Sequence, residues 1–413
     1  MGERSVGREW LVRLLLIASS SLLSLYAVEI LAGFVLPFPA QEGQGIIAAK
    51  RLGRSVDERD MSDFIEDARA EGKQIVPAFS PAVILNDFLR EEPADRVVPT
   101  IFPLSGVANA PTAGFNESGY RRVYESDRFG FNNPDAIYSE PIDVALIGDS
   151  YTAGITVYSD EEIAAHLRRA SYNALNLGSN ANGPLIELAT LVEYAQVHQP
   201  PIVVWIFYEG NDLFDLGRER QHPTLMSYLE QPSYQQDLRN RQSAVDGLVK
   251  QKIAQLEAEK KAEKAAANDS AGRKVVERLM LTRVRGAIAA WLNPQAAAKI
   301  YADSDENLAL FAAVLERADS IVSSWDGELY FVYLPVYERF SSNRTTLEKL
   351  NTRQQMVLEQ VKALGIPSID IAARFEQEDD PLALFPFGFF GHYDADGYKV
   401  VADEIMQVLP DEP

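Results

Sequence analysis

Short apolar runs, alternating with stretches of helical periodicity, organise the carboxyl-terminal two-thirds of this chain. Residues 144–147, 172–177, 202–208, 329–334 and 368–371 are dominated by aliphatic and aromatic side chains. Runs of that length and makeup predict buried strands. Between them, 160–170 and 184–198 carry helical spacing, the second with Pro184 in its first turn, where the missing N–H is not needed. A last helix is predicted over 396–409. Strands alternating with helices predict a parallel sheet covered on both faces, an α/β three-layer sandwich.

Upstream the pattern changes character. Arg4, Arg8 and Arg13 precede an apolar stretch over 14–35 that holds one charge, Glu29. Its length suffices for one membrane-spanning helix. No Lys or Arg follows until Lys50, which predicts a cytoplasmic amino terminus and a body outside the cytoplasm. A cleaved signal peptide with 14–28 as its apolar core is the competing reading. Against it stand the lack of a small-residue cleavage site near Val28 and the return of apolar character at Ile30. Residues 37–56 read as a stem and 60–71 as a helix. The prolines at 77, 81, 93, 99, 103 and 111 predict an irregular collar, 120–124 a strand, and 127–134 a turn into the core. The divisions are therefore a cytoplasmic tip and anchor at 1–36, a stem and collar at 37–140, and the α/β domain at 141–413.

That last domain is interrupted at about 213–301. Val245, Val249, Ile253 and Leu256 fall on one helical face, a Lys, Glu and Ala-rich run follows, and 268–272 breaks it. Val276, Leu279, Ile288 and Trp291 suggest a second amphipathic helix. A helical insertion in hairpin form results, placed to cap a site, to contact another subunit or to lie on the surface.

Composition narrows the partners. The net charge is −21, from 60 acidic and 39 basic residues, which argues against nucleic acid or anionic headgroups as partners of the main domain. The absence of cysteine excludes a thiol nucleophile, disulfides and thiolate zinc sites. No cofactor and no metal is expected.

Candidate chemistry gathers at the strand ends. The first predicted strand runs into Gly148-Asp149-Ser150, a position at which open α/β sheets place their ligand crevice. Ser150 is a candidate nucleophile there. After the second strand, Gly178 allows close backbone approach and offers an N–H. After the third, Gly210-Asn211-Asp212 offers the Asn211 side-chain amide to an oxyanion formed by acyl transfer at Ser150, while Asp212 suits the loop backbone. Of four histidines, His166 and His198 lie in predicted helices and His222 at the start of the insertion. His392 lies in a loop before the last helix, where a general base is needed.

Gly-Asp-Ser-x-Thr-x-Gly, then a glycine, then Gly-Asn-Asp, then a histidine near the carboxyl end resembles the block order of the SGNH (GDSL-like) hydrolases. The resemblance covers about 141–212 and 325–410, and the lead-in from Asn116-Glu117-Ser118-Gly119-Tyr120 to Pro134 is similar to that of bacterial membrane-anchored members. It implies a flavodoxin-like parallel sheet and a serine esterase. Ser150 would be the nucleophile and His392 its base, with the N–H groups of Ser150 and Gly178 and the Asn211 amide as oxyanion donors. Its substrate would be an acyl ester, with O-acetyl groups of an envelope or secreted glycan the expectation from location. The chain departs from the family twice. Phe389 stands where an aspartate usually precedes the histidine, so the group orienting His392 is open: a backbone carbonyl, or a carboxylate such as Asp394, Asp380 or Asp370. Glu209 stands where glycine is common, either narrowing the pocket or pointing into solvent.

Overall fold

The computed structural model describes residues 41–268, 305–341, 344–389 and 391–410, with Ser20, Ser24 and Tyr26 as isolated positions. Apart from those three positions, the expected span over 14–35 lies outside the described residues, as does the second amphipathic helix around 276–291. Among those described, no helix is long and apolar enough to cross a membrane. The chain divides into two compact units. Gln41–Gln255 with Tyr301–Pro413 forms the larger, and Met1–Ala40 with Leu256–Ile300 the other.

Eight strands occur among the described residues of the larger unit. β1 (Val76–Pro77), β2 (Pro111–Ala113) and β3 (Val123–Glu125) form a small sheet in that order. β4 (Val144–Gly148), β5 (Ala174–Asn176), β6 (Ile202–Tyr208), β7 (Glu328–Leu334) and β8 (Ser368–Asp370) form the main sheet, parallel throughout, in the order β5-β4-β6-β7-β8. All five predicted core strands are present. Their spatial order is that of a flavodoxin-like sheet, in which the chain reverses direction between β4 and β6, and ligands bind beyond the strand ends at such a switch point. Ser150 follows β4 and Asn211 follows β6, so topology alone brings the two ends together.

The sheet is buried on both faces because its residues alternate between two cores. Val203, Trp205 and Phe207 point to one face with Phe331 and Tyr333, against the helices Pro184–Thr190 and Asp305–Ser323. Ile202, Val204 and Ile206 point to the other with Val332 and Leu334, against the helices Ile163–Arg169 and Ala395–Val408. This is the expected three-layer arrangement.

The region expected as stem and collar is more regular than its prolines suggest. Helices span Gln41–Arg51, Met61–Ala70 and Ala82–Arg90. Phe79, Leu85, Ile101, Phe102 and Leu104 join the same core as the sheet, because prolines punctuate the connections and leave the apolar positions between them free to pack. In the insertion, Val245, Val249 and Ile253 are buried as their spacing predicts, within the helix Gln242–Asn268. Beyond the helices Asp212–Glu219 and Pro223–Glu230, its start is thus part of the core.

Glu209 neither narrows a pocket nor meets solvent. It is buried, and its carboxylate accepts from the Tyr333 hydroxyl (2.7 Å), the Val336 N–H (2.7 Å) and the Arg339 guanidinium (3.0 and 2.6 Å). Arg339 also donates to Asn351 (2.6 Å), and Arg353 donates to the Glu209 carbonyl (3.0 Å). The network fastens the loop after β6 to the end of β7. Arg339→Met would leave a buried carboxylate uncompensated, which costs about 3–5 kcal/mol. Urea denaturation should show that loss, and the double variant Glu209→Gln with Arg339→Met should recover much of it.

Candidate active site

Ser150 opens a four-residue helix, Ser150–Ala153, capped by Asp149, whose carboxylate accepts the Tyr151 N–H at 2.9 Å. Gly154 ends it in the left-handed conformation, so the strand-to-helix turn is tight. The turn points the Ser150 hydroxyl at His392, with Oγ 2.7 Å from Nε2. A contact predicted across 242 residues of sequence is thereby formed.

The group that orients His392 is Glu117, which sequence reasoning left without a role. Its two carboxylate oxygens each lie 3.0 Å from Nδ1, and Oε2 also accepts the His392 backbone N–H at 2.7 Å. A carboxylate at Nδ1 requires a proton there, which leaves the Nε2 lone pair for the serine proton. The three aspartates considered from sequence cap helices instead. Asp394 accepts the N–H groups of Asp396 and Gly397, Asp380 that of Leu382, and Asp370 that of Ala373. Phe389 is half-exposed near Tyr337.

The chain around this contact is built for it. Gly391 adopts φ 128°, and a Cβ there would lie 2.6 Å from Glu117 Oε2, so only glycine admits both the backbone and the carboxylate. Tyr151 lies beside the His392 imidazole (centroids 4.5 Å apart), stacks on Tyr208 (4.1 Å) and donates its hydroxyl to the Gly391 carbonyl at 3.1 Å. On the other side, the Asn116 amide donates to the Asp57 carbonyl (2.7 Å) and the Asp57 N–H to the Gly119 carbonyl (2.8 Å). A Cβ on Gly45 would lie 2.6 Å from the Glu117 carbonyl. The supposed stem thus packs directly on the loop that carries the acid.

The expected oxyanion donors are partly committed. The Ser150 N–H has no partner among the described residues. Asn211 donates one amide hydrogen to Asp215 Oδ2 at 2.7 Å and keeps a second. The N–H of Gly178, expected to face the oxyanion, donates instead to Asn176 Oδ1 at 2.9 Å. Gly178 also packs where a side chain would overlap the Thr152–Ala153 backbone, so its role in the structure is close approach. Of the remaining histidines, His222 is fully buried between Phe88 and Phe102, and burial lowers its pKa to about 4. His166 and His198 also have lowered pKa values, mainly through burial. Among the described residues, no cluster of His, Cys, Asp and Glu could hold a metal ion.

Electrostatics sets Glu117 and His392 against the rest of the site. Burial alone would raise Glu117, but the charge of His392 and its hydrogen bonds hold the carboxyl below its ordinary value. Burial lowers His392, and Glu117 more than offsets this, with a net rise above 6.5. The four histidines make NMR titration tractable. Glu117→Gln should move the His392 titration to lower pH, whereas an unshifted value would show that the carboxylate does not control this imidazole.

Beneath the site lie carboxyls of the opposite kind. Burial raises Asp149 to about 7, Asp215 to about 6 and Glu219 to about 8. Glu187, fully buried with neither oxygen hydrogen-bonded, is raised well above 4.5 by burial and by nearby Asp212 and Asp149. These groups keep protons in the folded chain that the unfolded chain releases near pH 4. From about pH 4 to 8 the folded state therefore binds more protons, and their contribution to stability falls as pH rises. The melting temperature should drop between pH 5 and 8. Glu187→Gln should raise it more at pH 8 than at pH 5; an equal effect at both would show that Glu187 is not a buried acid.

No protein-family model and no curated protein matches the chain. Among solved structures it is similar to a protein assigned to the lipolytic G-D-S-L family from Desulfitobacterium hafniense. The identity is 12%, over 64% of this chain and 98% of that one, with a TM-score of 0.34. It is also similar to a lipase/acylhydrolase from Enterococcus faecalis, at 13% identity over 64% and 94% of the two chains and a TM-score of 0.33. Likeness at this level carries no argument about chemistry, so the functional reading rests on the site.

Proposed function

We propose that this protein is a serine esterase of the SGNH type. The observation that carries the reading is the continuous relay from Ser150 Oγ through His392 to Glu117. In this reading the Ser150 oxygen attacks the ester carbonyl while His392 Nε2 takes its proton, and Glu117 stabilises the imidazolium. The Ser150 N–H and the free hydrogen of the Asn211 amide hold the oxyanion. Each such donor can be worth about 3 kcal/mol of barrier. The Gly178 N–H joins them only where the oxyanion displaces Asn176 Oδ1. Collapse of the tetrahedral intermediate breaks the ester bond, and the imidazolium returns the proton to the departing alcohol. Water, deprotonated by the same imidazole, then cleaves the acyl-serine and releases the acid. The site needs no cofactor for either half.

The sequence supports placing this domain outside the cytoplasm, anchored through residues 14–35 behind the three arginines. From that location the proposed substrate is an acyl ester, with the O-acetyl groups of an envelope or secreted glycan as the reading to test. A glycan hydroxyl taking the acyl group in place of water would make the same site a transferase, and product analysis separates the two.

A fluorophosphonate probe should label the wild-type protein covalently and fail to label Ser150→Ala. Absence of labelling in folded wild-type protein would refute the catalytic reading and leave a scaffold with a hydrolase fold.

A further inference from the structure

Arg122 forms no ion pair among the described residues, in a strongly acidic chain. Its guanidinium carbon sits 3.7 Å from the ring centroid of Tyr158 and 5.6 Å from that of Tyr120. Its Nε is buried without a hydrogen-bond partner. Other arginines of the same unit, Arg59, Arg128, Arg168, Arg339 and Arg374, are paired with carboxylates. Arg239 lies over the Phe129 ring with its Nε likewise buried and unbonded, so what distinguishes Arg122 is that two tyrosine rings approach its guanidinium. Tyr120 and Tyr158 meanwhile keep 48% and 51% of their surface exposed.

The position ties the patch to the site. Arg122 follows Glu117 by five residues, so their Cα atoms lie at most about 18 Å apart. Its carbonyl accepts the Gly114 N–H at 2.8 Å, and Gly114 lies so close to Ile155 that a side chain would overlap the Ile155 carbonyl. Ile155 in turn follows the Ser150 helix, three residues before Tyr158. Guanidinium and rings are therefore fixed to the two segments that supply the acid and the nucleophile.

We infer that Tyr120, Arg122 and Tyr158 form a binding subsite for a carboxylate-bearing sugar of an acylated glycan, next to the sugar whose ester is cleaved. Exposed aromatic rings offer flat apolar faces with a polar handle. A guanidinium already desolvated on one side pairs with a carboxylate through two parallel hydrogen bonds. A neutral sugar would use the rings and leave the cation unpaired, so the charge on Arg122 selects an acidic glycan. The inference rests on the esterase reading for its reaction but not for its binding.

The test uses both. Fragments of O-acetylated polygalacturonate, fragments of acetylated xylan and 4-nitrophenyl acetate are the three substrates, compared for wild type, Arg122→Gln and Arg122→Lys. Arg122→Gln should raise KM for the acidic glycan about tenfold, the scale of one lost charge-assisted contact. It should leave kcat on that substrate and turnover of 4-nitrophenyl acetate unchanged. Arg122→Lys should fall between, since it keeps the charge and loses the planar fork. Equal KM changes on the acidic and neutral glycans, or none on either, would overturn the proposal. Calorimetric binding of trigalacturonate to Ser150→Ala, against Ser150→Ala with Arg122→Gln, reads the subsite without turnover. If no ester is cleaved and no fluorophosphonate label appears, the esterase reading fails. In that case the subsite is judged by binding alone, and it fails if trigalacturonate binding is absent or indifferent to Arg122.

Discussion

One carboxylate contact, Glu117 to His392, joins the amino-terminal third of this chain to the loop before the helix Ala395–Val408. It is buried, and neither partner would tolerate that alone. Burial pushes Glu117 towards its neutral form and His392 towards its own. Together each favours the charged form of the other, and the backbone N–H of His392 supplies a further bond to the carboxylate. Much of the surrounding chain exists to present Glu117 at that spot. The segment near Asp57 clamps the 116–119 loop, the Gly45 backbone packs on it, and Arg121 ties it to the Gly114 and Arg59 carbonyls (3.1 and 3.2 Å). The collar is therefore part of the site.

The sheet does the complementary work. Order β5-β4-β6 places the ends of β4 and β6 side by side, and the loops beyond them carry Ser150 and Asn211. Those loops, and the one after β5, are held by buried carboxyl groups that accept backbone N–H groups. Asp149 takes Tyr151, Asp212 takes Tyr208 (2.8 Å), and Glu219 takes Gly183 and Leu185 (2.6 and 2.9 Å). Each satisfies a donor that the start of a helix or a turn would otherwise leave orphaned. The loops are thus fixed by hydrogen bonds from buried side chains.

The core strands, the helices that flank them and the Ser150–His392 pair were legible because each is encoded locally. Apolar runs mark strands whatever surrounds them, and a serine or histidine at an element end is visible as such. Glu117 was not legible in that way. It is 275 residues from His392 in sequence, and no local pattern distinguishes it from other loop glutamates. Two signals pointed towards it. Phe389 removed the expected aspartate, so the acid had to come from elsewhere, and the 116–120 segment already resembled the lead-in of related proteins. The commitment of the Gly178 N–H to Asn176 was equally hidden, since a glycine's spacing says that the backbone comes close but not what its N–H meets. Glu209 was misjudged in both directions because its partner, Arg339, lies 130 residues away.

The buried carboxyls explain why a remote glutamate, and not the adjacent Asp149, serves His392. Asp149 precedes the nucleophile and lies close enough for its charge to act on the imidazole. Yet it is occupied by the Tyr151 N–H and surrounded by other acids, and burial raises it to about 7. Near neutrality it is therefore only partly charged, and it makes no hydrogen bond to the ring. Glu117 meets Nδ1 with both oxygens, and its carboxyl is held below its ordinary value. Two carboxyls flank one histidine, and their environments push their pKa values apart, which is how acid and base roles are separated within a small site. An ionised Asp149 would add a second anion beside the serine, opposing the oxyanion that forms there. Keeping that carboxyl partly protonated, and drawing the orienting charge from the collar, lets the imidazole be stabilised with a smaller penalty at the reacting carbonyl.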